Sequence, residues 1–260
     1  MKKVCSLLLV NLFTLLCAFS QDSLKSTHGE DYFRPTKNNL TTELNINPFK
    51  GELSLNNALN QIKVRYFTAD LFALRLGFIV NSKKVVENNI SPYGTNPTTI
   101  DETKKTSAIG LNFGIEKHFK GTRRLAPYIG GELMIAFKSS SHEIENGDYK
   151  TKITGAWRTT LSYYNTGNGI NVVYGNEERG YTKVGINAVA GFDFYLAKHF
   201  YFGYELVFGA VSTKFKNIDV INTYSQNSGP PSAGNGNTES AKDFSFGPNL
   251  VNGIRLGFVF

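Results

Sequence analysis

The sequence predicts an all-β fold, an eight-stranded antiparallel up-and-down transmembrane β-barrel with long loops on one side. Three observations predict it. Apolar and polar residues alternate with a period of two from about residue 40 to Phe260. The chain holds 20 Phe, 13 Tyr and 25 Gly, yet after residue 21 it has no apolar run near the ~20 residues a spanning helix needs. The connections between alternating segments are short and long by turns, as in barrels whose two rims differ.

The N-terminus reads as a targeting segment. Lys2 and Lys3 precede an apolar stretch from Val4 to Phe19, and Ala18-Phe19-Ser20 offers small residues for cleavage. Residues 1–20 are therefore read as a signal peptide, with cleavage after Ser20 and Gln21 as the mature start. A membrane anchor is the alternative, but the run is short and lacks a basic flank. Lipidation at Cys17 is disfavoured because Leu16 precedes it where a small residue is needed. Cleavage removes Cys5 and Cys17, which excludes disulfides, thiolate ligands and cysteine nucleophiles. It also removes Lys2 and Lys3, so the 28 basic residues fall by two while the 21 acids stay. That mild excess is dispersed and is no nucleic-acid footprint. Residues 21–39 follow as an N-terminal tail on the periplasmic side, and residues 40–260 form the barrel.

Each strand can be justified in turn. Segments 41–49 and 61–67 alternate over short spans. In 72–83, Phe72, Leu74, Leu76, Phe78 and Val80 oppose Arg75, Gly77, Asn81 and Lys83. In 107–119, Ile109, Leu111, Phe113 and Ile115 oppose Gly110, Asn112, Gly114 and Glu116. Segments 127–138 and 201–215 are noisier, whereas 184–196 sets Val184, Ile186 and Phe192 against Gly185, Asn187, Gly191 and Asp193. The last strand is the longest: Phe244, Phe246, Leu250, Ile254, Leu256, Phe258 and Phe260 share one face, with Ser245, Asn249 and Arg255 on the other. An apolar face this long needs a large core or lipid. Thr68-Ala69-Asp70, Lys120 to Leu125 and Ala197-Lys198-His199 read as tight turns. Residues 50–60, 84–106, 139–180 and 216–242 read as long loops, the last rich in Asn, Ser, Gly and Pro and expected to be mobile. Hairpins Lys63–Val80, Gly110–Phe137 and Gly185–Ala210 resemble one another as repeats within one barrel. Residues 151–164 and 170–174 also alternate; they read as a β-ribbon above the membrane, or alternatively as a further pair that would make ten strands.

Leu44-Asn45-Ile46-Asn47-Pro48-Phe49-Lys50-Gly51, Gln61 to Phe67, Phe72 to Gly77 and the closing Arg255 to Phe260 carry a resemblance. Across residues 40–260 the chain resembles the small outer-membrane β-barrel proteins of Bacteroidota-type bacteria, in the porin-like group of outer membrane protein A and W relatives. The resemblance implies a barrel in the outer membrane of a Gram-negative cell and no particular activity. It also implies that Phe258 and Phe260 form the C-terminal signal shown to the barrel-assembly machinery. With no peptidoglycan-binding domain after Phe260, the tethering role of longer relatives is not implied.

Alternation sends Glu43, Lys63, Arg65, Arg75, Glu116, Glu132, Asp193, Glu205 and Arg255 into the lumen. An eight-stranded barrel is just wide enough for side chains, and buried ions must be paired. These residues are expected to form a ladder of ion pairs that plugs the pore, the alternative being a narrow gated channel. No catalytic residue is assigned. His142, in Ser139-Ser140-Ser141-His142-Glu143, is the histidine expected on the outer side beside a hydroxyl and a carboxylate, but neighbours on an extended chain point apart. No cluster has metal-ligand spacing and no cofactor is expected. The third loop's Tyr149, Trp157, Tyr163, Tyr164 and Tyr174 are candidates for an extracellular interaction surface, or for the ribbon's own packing or an interfacial girdle. The expected partners are outer-membrane lipid, the assembly machinery and a larger outer-membrane complex. The functional expectation is a non-enzymatic barrel serving membrane integrity or acting as an accessory subunit, with a small-solute channel next and a hydrolase last.

Overall fold

The computed structural model describes residues 33–46, 59–91, 98–165, 170–224, 232–233, 241–250 and 254–260. The signal peptide, its cleavage site and both cysteines lie outside them. Fourteen strands follow in chain order: β1 Leu40–Ile46, β2 Leu59–Ala69, β3 Phe72–Ser91, β4 Thr98–His118, β5 Leu125–Asn146, β6 Tyr149–Thr154 and β7 Trp157–Asn165. After these come β8 Ile170–Glu177, β9 Tyr181–Ala197, β10 Phe200–Phe215, β11 Asp219–Tyr224, β12 Ser232–Ala233, β13 Lys242–Leu250 and β14 Ile254–Val259.

A ring closes from eight of these positions. β1, β2, β3, β4, β5, β9 and β10 pair in that order, all antiparallel, and β13 with β14 fills the eighth place beside β10. β14 then pairs with β1, Thr41 opposite Val259 and Leu44 opposite Leu256, and the barrel is shut. The closing strand comes in two pieces. Leu206 faces Leu250 and Gly203 faces Arg255, so three steps along β10 match five along its partner. A slip of two leaves inward residues inward, because faces alternate every residue.

Outward residues on the ring are large, apolar and exposed: Leu74, Phe113, Leu133, Ile186, Leu206 and Phe246 are each 46% exposed or more, except Leu74 at that value. Inward residues are mostly buried, and charged residues, glycines, tyrosines and small side chains are prominent among them. This is a water-soluble protein's pattern turned inside out, the arrangement of a wall that faces lipid.

Three expectations about the connections are corrected. Residues 84–106 are largely not loop: β3 and β4 stay paired from Phe72–Lys117 up to Ser91–Thr98. Beyond the apolar belt both faces of a strand meet water, so hydrophobic alternation fades while the hydrogen-bonded ladder continues. The same holds for β5, which extends to Asn146 and pairs there with β6, whereas β7 pairs with β8 as a separate ribbon, in keeping with the reading of 151–164 and 170–174. Residues 216–242 contain β11, paired with β6 from Asp219–Thr154 to Tyr224–Tyr149. Ile153, Ala156, Ile218 and Val220, all buried, fix that pairing as a small core above the rim. None of β6, β7 or β8 enters the ring, so the ten-strand alternative does not hold. The reversal at Gly155 has φ +93°, and a Cβ there would lie 2.1 Å from the Asn217 carbonyl oxygen, so glycine alone fits.

At the short-turn rim the N-terminal segment crosses the mouth. Phe33 donates its N–H to the Arg123 carbonyl and packs on Ala126, Tyr195, Tyr201 and Val259. Lys37 N–H reaches the Asp70 carboxylate, and the Asn39 side chain donates to the Phe260 carbonyl.

Inward glycines make room for inward giants. A Cβ on Gly257 would lie 2.0 Å from the Tyr201 ring, and one on Gly209 would lie 2.0 Å from Asn187 Oδ1. Tyr201 cannot retreat, since its hydroxyl accepts from Arg65 and donates to Glu43. Gly257→Ala should therefore lower stability by about 1–3 kcal/mol, the usual range for overpacking. Urea titration of the barrel folded into lipid vesicles reads this directly, and an unchanged midpoint would contradict the packing described.

Candidate functional site

All nine residues expected in the lumen are 6% exposed or less, and the structure brings them into one network. Arg65 on β2 reaches Asp193 at 2.8 Å and Glu116 at 3.0 Å. Arg75 on β3 contacts Glu205 at 2.8 Å, Glu116 at 2.9 Å and Glu132 at 3.0 Å. Arg255 on β14 holds Glu43 and Asp193, both at 2.9 Å. Lys63 bridges Glu205 at 3.1 Å and Glu43 at 3.2 Å. In the ring, β2 stands opposite β9 and β3 stands opposite β10. The Arg65–Asp193 and Arg75–Glu205 bonds therefore span the full width of the lumen.

Five carboxylates meet four permanent cations, and the remaining acceptor capacity goes to neutral groups. Tyr128 donates to Glu205 at 2.6 Å, Tyr201 to Glu43 at 3.1 Å, and Asn187 to Glu132 at 3.1 Å. His118 Nε2 lies 3.1 Å from Glu116. Aromatic faces complete the packing: the Arg65 guanidinium carbon lies 5.2 Å from the Tyr201 ring centre, and that of Arg255 lies 5.2 Å from Tyr128. The desolvation of so many ions is offset only because each has several partners.

Tyr128, Tyr201, Asn187 and His118 belong to this network and went unassigned in the sequence. Their signal was parity: Tyr128 lies four residues before Glu132, Tyr201 four before Glu205, and His118 two after Glu116. β4 includes His118, its side chain is 3% exposed, and its ring packs 5.1 Å from both Phe67 and Tyr128.

Above the belt, Trp157 was read either as a contact residue or as part of the ribbon's own packing, and its burial matches packing. It is 5% exposed, its indole N–H donates to the Lys105 carbonyl at 2.9 Å, and Lys83 lies over its ring. The indole folds inward over β3 and β4, because one edge can satisfy its polar N–H while the rest packs. Tyr149 is 62% exposed at the tip of the ribbon. The side chains of Tyr163, Tyr164 and Tyr174 lie outside the described residues. Phe258 and Phe260 both face outward at the short-turn rim, 5.0 Å apart edge to face.

His142 is 1% exposed beside Trp157. Its Nδ1 accepts the Arg158 backbone N–H at 3.2 Å, so Nε2 carries the proton and donates to Glu102 at 3.2 Å. Both nitrogens are thereby engaged, and neither faces a nucleophile. Ser140 turns instead to the Glu178 carbonyl. Among the described residues no group of three His, Cys, Asp or Glu could hold a metal ion.

What fold and interior together define is a closed antiparallel barrel with a charged, filled lumen and an apolar outer wall. No protein-family model matches the chain, and no curated protein matches it. Among solved structures it is similar to the outer membrane protein OprG from Pseudomonas aeruginosa, at 10% identity and a TM-score of 0.41. The match covers 88% of this chain and 99% of that one.

Burial lowers the His142 pKa from its ordinary 6.5, against the opposing pull of Glu102. A depressed folded value means the stability is present above 6.5 and is lost as pH falls below it. A proton on Nδ1 would face the Arg158 N–H, donor against donor, and loosen the chain at Trp157. As Trp157 is the single tryptophan, acidification should shift its fluorescence to the red. His142→Asn should abolish that pH step; an identical step in the variant would place the titration elsewhere.

Proposed function

We propose that the chain is an integral outer-membrane protein with a sealed lumen. In this reading it acts without catalysis, in membrane integrity or as an accessory subunit whose outer ribbons meet other molecules. The single observation that carries this is the pair of bonds across the full lumen, Arg65 to Asp193 and Arg75 to Glu205. A solute passing through would have to break buried ion pairs, at a cost of roughly 3–5 kcal/mol for each one left unpartnered. Lower down, Tyr195, Tyr201, Val259 and Ala126 add an apolar layer under Phe33.

The outward belt supports residence in lipid, and the short-turn rim is assigned to the periplasm by the usual asymmetry of such barrels. That assignment sets the ribbons of β3, β4, β5, β6 and β11 outside the cell. Export would use the segment ending at Ser20, and the outward Phe258 and Phe260 would be offered to the assembly machinery. A catalytic role finds no support in His142, whose ring is fully engaged.

Planar-bilayer recording tests the sealed lumen. The refolded wild type should show no steady conductance, while Arg65→Ser with Arg75→Ser should produce discrete steps. Steady current from pure wild type would favour the channel reading. Purification from native membranes in mild detergent tests the accessory role: a stoichiometric companion is expected, and a lone monomer throughout would count against it.

A further inference from the structure

Just beyond the apolar belt, the outward face of the wall carries lysines set side by side. On β3 the outward residues run Phe78, Val80, Ser82, Lys84, and the ladder sets Leu111, Ile109, Ser107 and Lys105 of β4 directly opposite them. The arrangement recurs across the ring, where Lys214 of β10 faces Lys242 of β13, next to the pair Ser212 and Phe244. All four lysines are exposed, and each follows the last outward apolar residue of its strand within two outward places. On strands tilted as in such barrels, that is roughly 5–10 Å above the hydrocarbon, the level of lipid headgroups.

Like charges directly opposite on a ladder have Cβ atoms only ~5 Å apart and are destabilising unless an anion lies between them. Elsewhere above the belt the lysines are matched. Lys150 and Lys152 stand opposite Glu145 and Glu143 and contact them at 2.6 and 3.7 Å. Lys104 turns inward to Glu87 at 2.8 Å and Glu102 at 3.1 Å. Among the described residues, none of Lys84, Lys105, Lys214 and Lys242 has a carboxylate within ion-pair distance. Their neighbours are hydroxyls instead: Ser141 flanks Lys105, and Thr182 flanks Lys214. The chain thus places opposite charges together on its ribbon and like charges together at the edge of the belt, on two opposing walls.

We infer that each lysine pair binds the phosphate of an outer-leaflet lipid whose headgroup carries a phosphate monoester. This rests on the reading that the belt lies in lipid with this rim outside. A monoester bears about −1.5 to −2 charges at neutral pH, which matches two ammoniums. A diester bears one, and would leave the second lysine uncompensated. Lysine stems are flexible enough for two ammoniums to converge on one phosphate, and Ser82, Ser107 and Ser212 stand where they can donate to its remaining oxygens. The acyl chains of the same molecule then run down over Val80 and Ile109, or over Phe244 and Phe246, all at least 50% exposed. A membrane lipid meets both halves of the surface, charge and chain, whereas free phosphate meets only the first.

Native mass spectrometry of the refolded full barrel in detergent tests this, with dioleoylphosphatidic acid as the monoester probe. The wild type should retain two such lipids, and dioleoylphosphatidylglycerol, a diester, should bind about fivefold more weakly. Lys84→Gln with Lys105→Gln should lose one lipid, Lys214→Gln with Lys242→Gln should lose the other, and all four together should lose both. Lys84→Arg with Lys105→Arg should keep both, as should Lys150→Gln with Lys152→Gln on the ribbon. Inorganic phosphate at the same concentration should displace neither. Retention of dioleoylphosphatidylcholine equal to that of the monoester, or unchanged retention in both paired glutamine variants, would overturn the sites. Displacement by inorganic phosphate would overturn the lipid assignment. Retention in micelles is read without reference to conductance or to which rim lies outside, so failure here and failure of the outer-membrane reading are separate results.

Discussion

The guanidinium–carboxylate bonds that cross the lumen are the constraint on which the rest of this structure depends. Adjacent strands are joined by their ladders, but a ladder says nothing about what fills the ring. Arg65 and Arg75 each reach acids on the far wall as well as on nearer strands. The diameter of the barrel is thereby set by side-chain length. An uncompensated ion in this interior is costly, so the network works only as a whole. That in turn explains the glycines. Gly257, Gly203 and Gly191 are the ladder partners of Tyr201, Arg255 and Tyr128 on the adjacent strand, and those large side chains lie over them. A lumen of uniformly middle-sized side chains could not interlock in this way.

Much of this was legible in the alternation. One period of two assigns every residue of a strand to lipid or lumen, and a charge on the lumen side of a narrow barrel must find a partner. The nine charged residues of the plug follow from that rule alone. Tyr128, Tyr201 and His118 obey the same parity but are chemically ambiguous, since a tyrosine serves an outer wall as readily as an inner one. Pattern therefore could not assign them, although glycine is the partner of both tyrosines on the adjacent strand. The ribbons failed for a different reason. Past residue 80 on β3 both faces meet water or another ribbon, and Lys84-Val85 and Asn88-Asn89 read as loop though they are paired strand. For Trp157 the polar neighbours in sequence left exposure and packing equally open, and its contacts with Lys83 and the Lys105 carbonyl come from other strands.

On the proposed reading, a sealed barrel divides its labour between wall and rim: the wall meets lipid, the plug gives rigidity, and interaction is left to the parts beyond the plug. Those parts are not appended loops. β3, β4 and β5 run as single strands of 20, 21 and 22 residues through the belt and out of it. The outer sheet thus inherits the stiffness of the barrel, and the small core of Ile153, Ala156, Ile218 and Val220 anchors β6 and β11 to it.

β5 shows what this continuity demands. Its inward residues meet four environments in order: Ala126 and Tyr128 at the closed base, Glu132 in the plug, Lys138 beside Glu178 above it, and His142 under Trp157. All five share one parity over seventeen residues, and the β4–β5 ladder runs from His118–Tyr128 to Ile100–Asn146 without a bulge. A single inserted residue between Glu132 and Lys138 would leave the plug intact yet turn Lys138, Ser140 and His142 to the outer face. Their places would pass to Phe137, Ser139 and Ser141, putting an aromatic ring beside Glu178 and a hydroxyl under the indole. The uninterrupted register is therefore more than regular geometry. It is the means by which one alternating pattern, selected by lipid in the belt, also positions the groups that work beyond it.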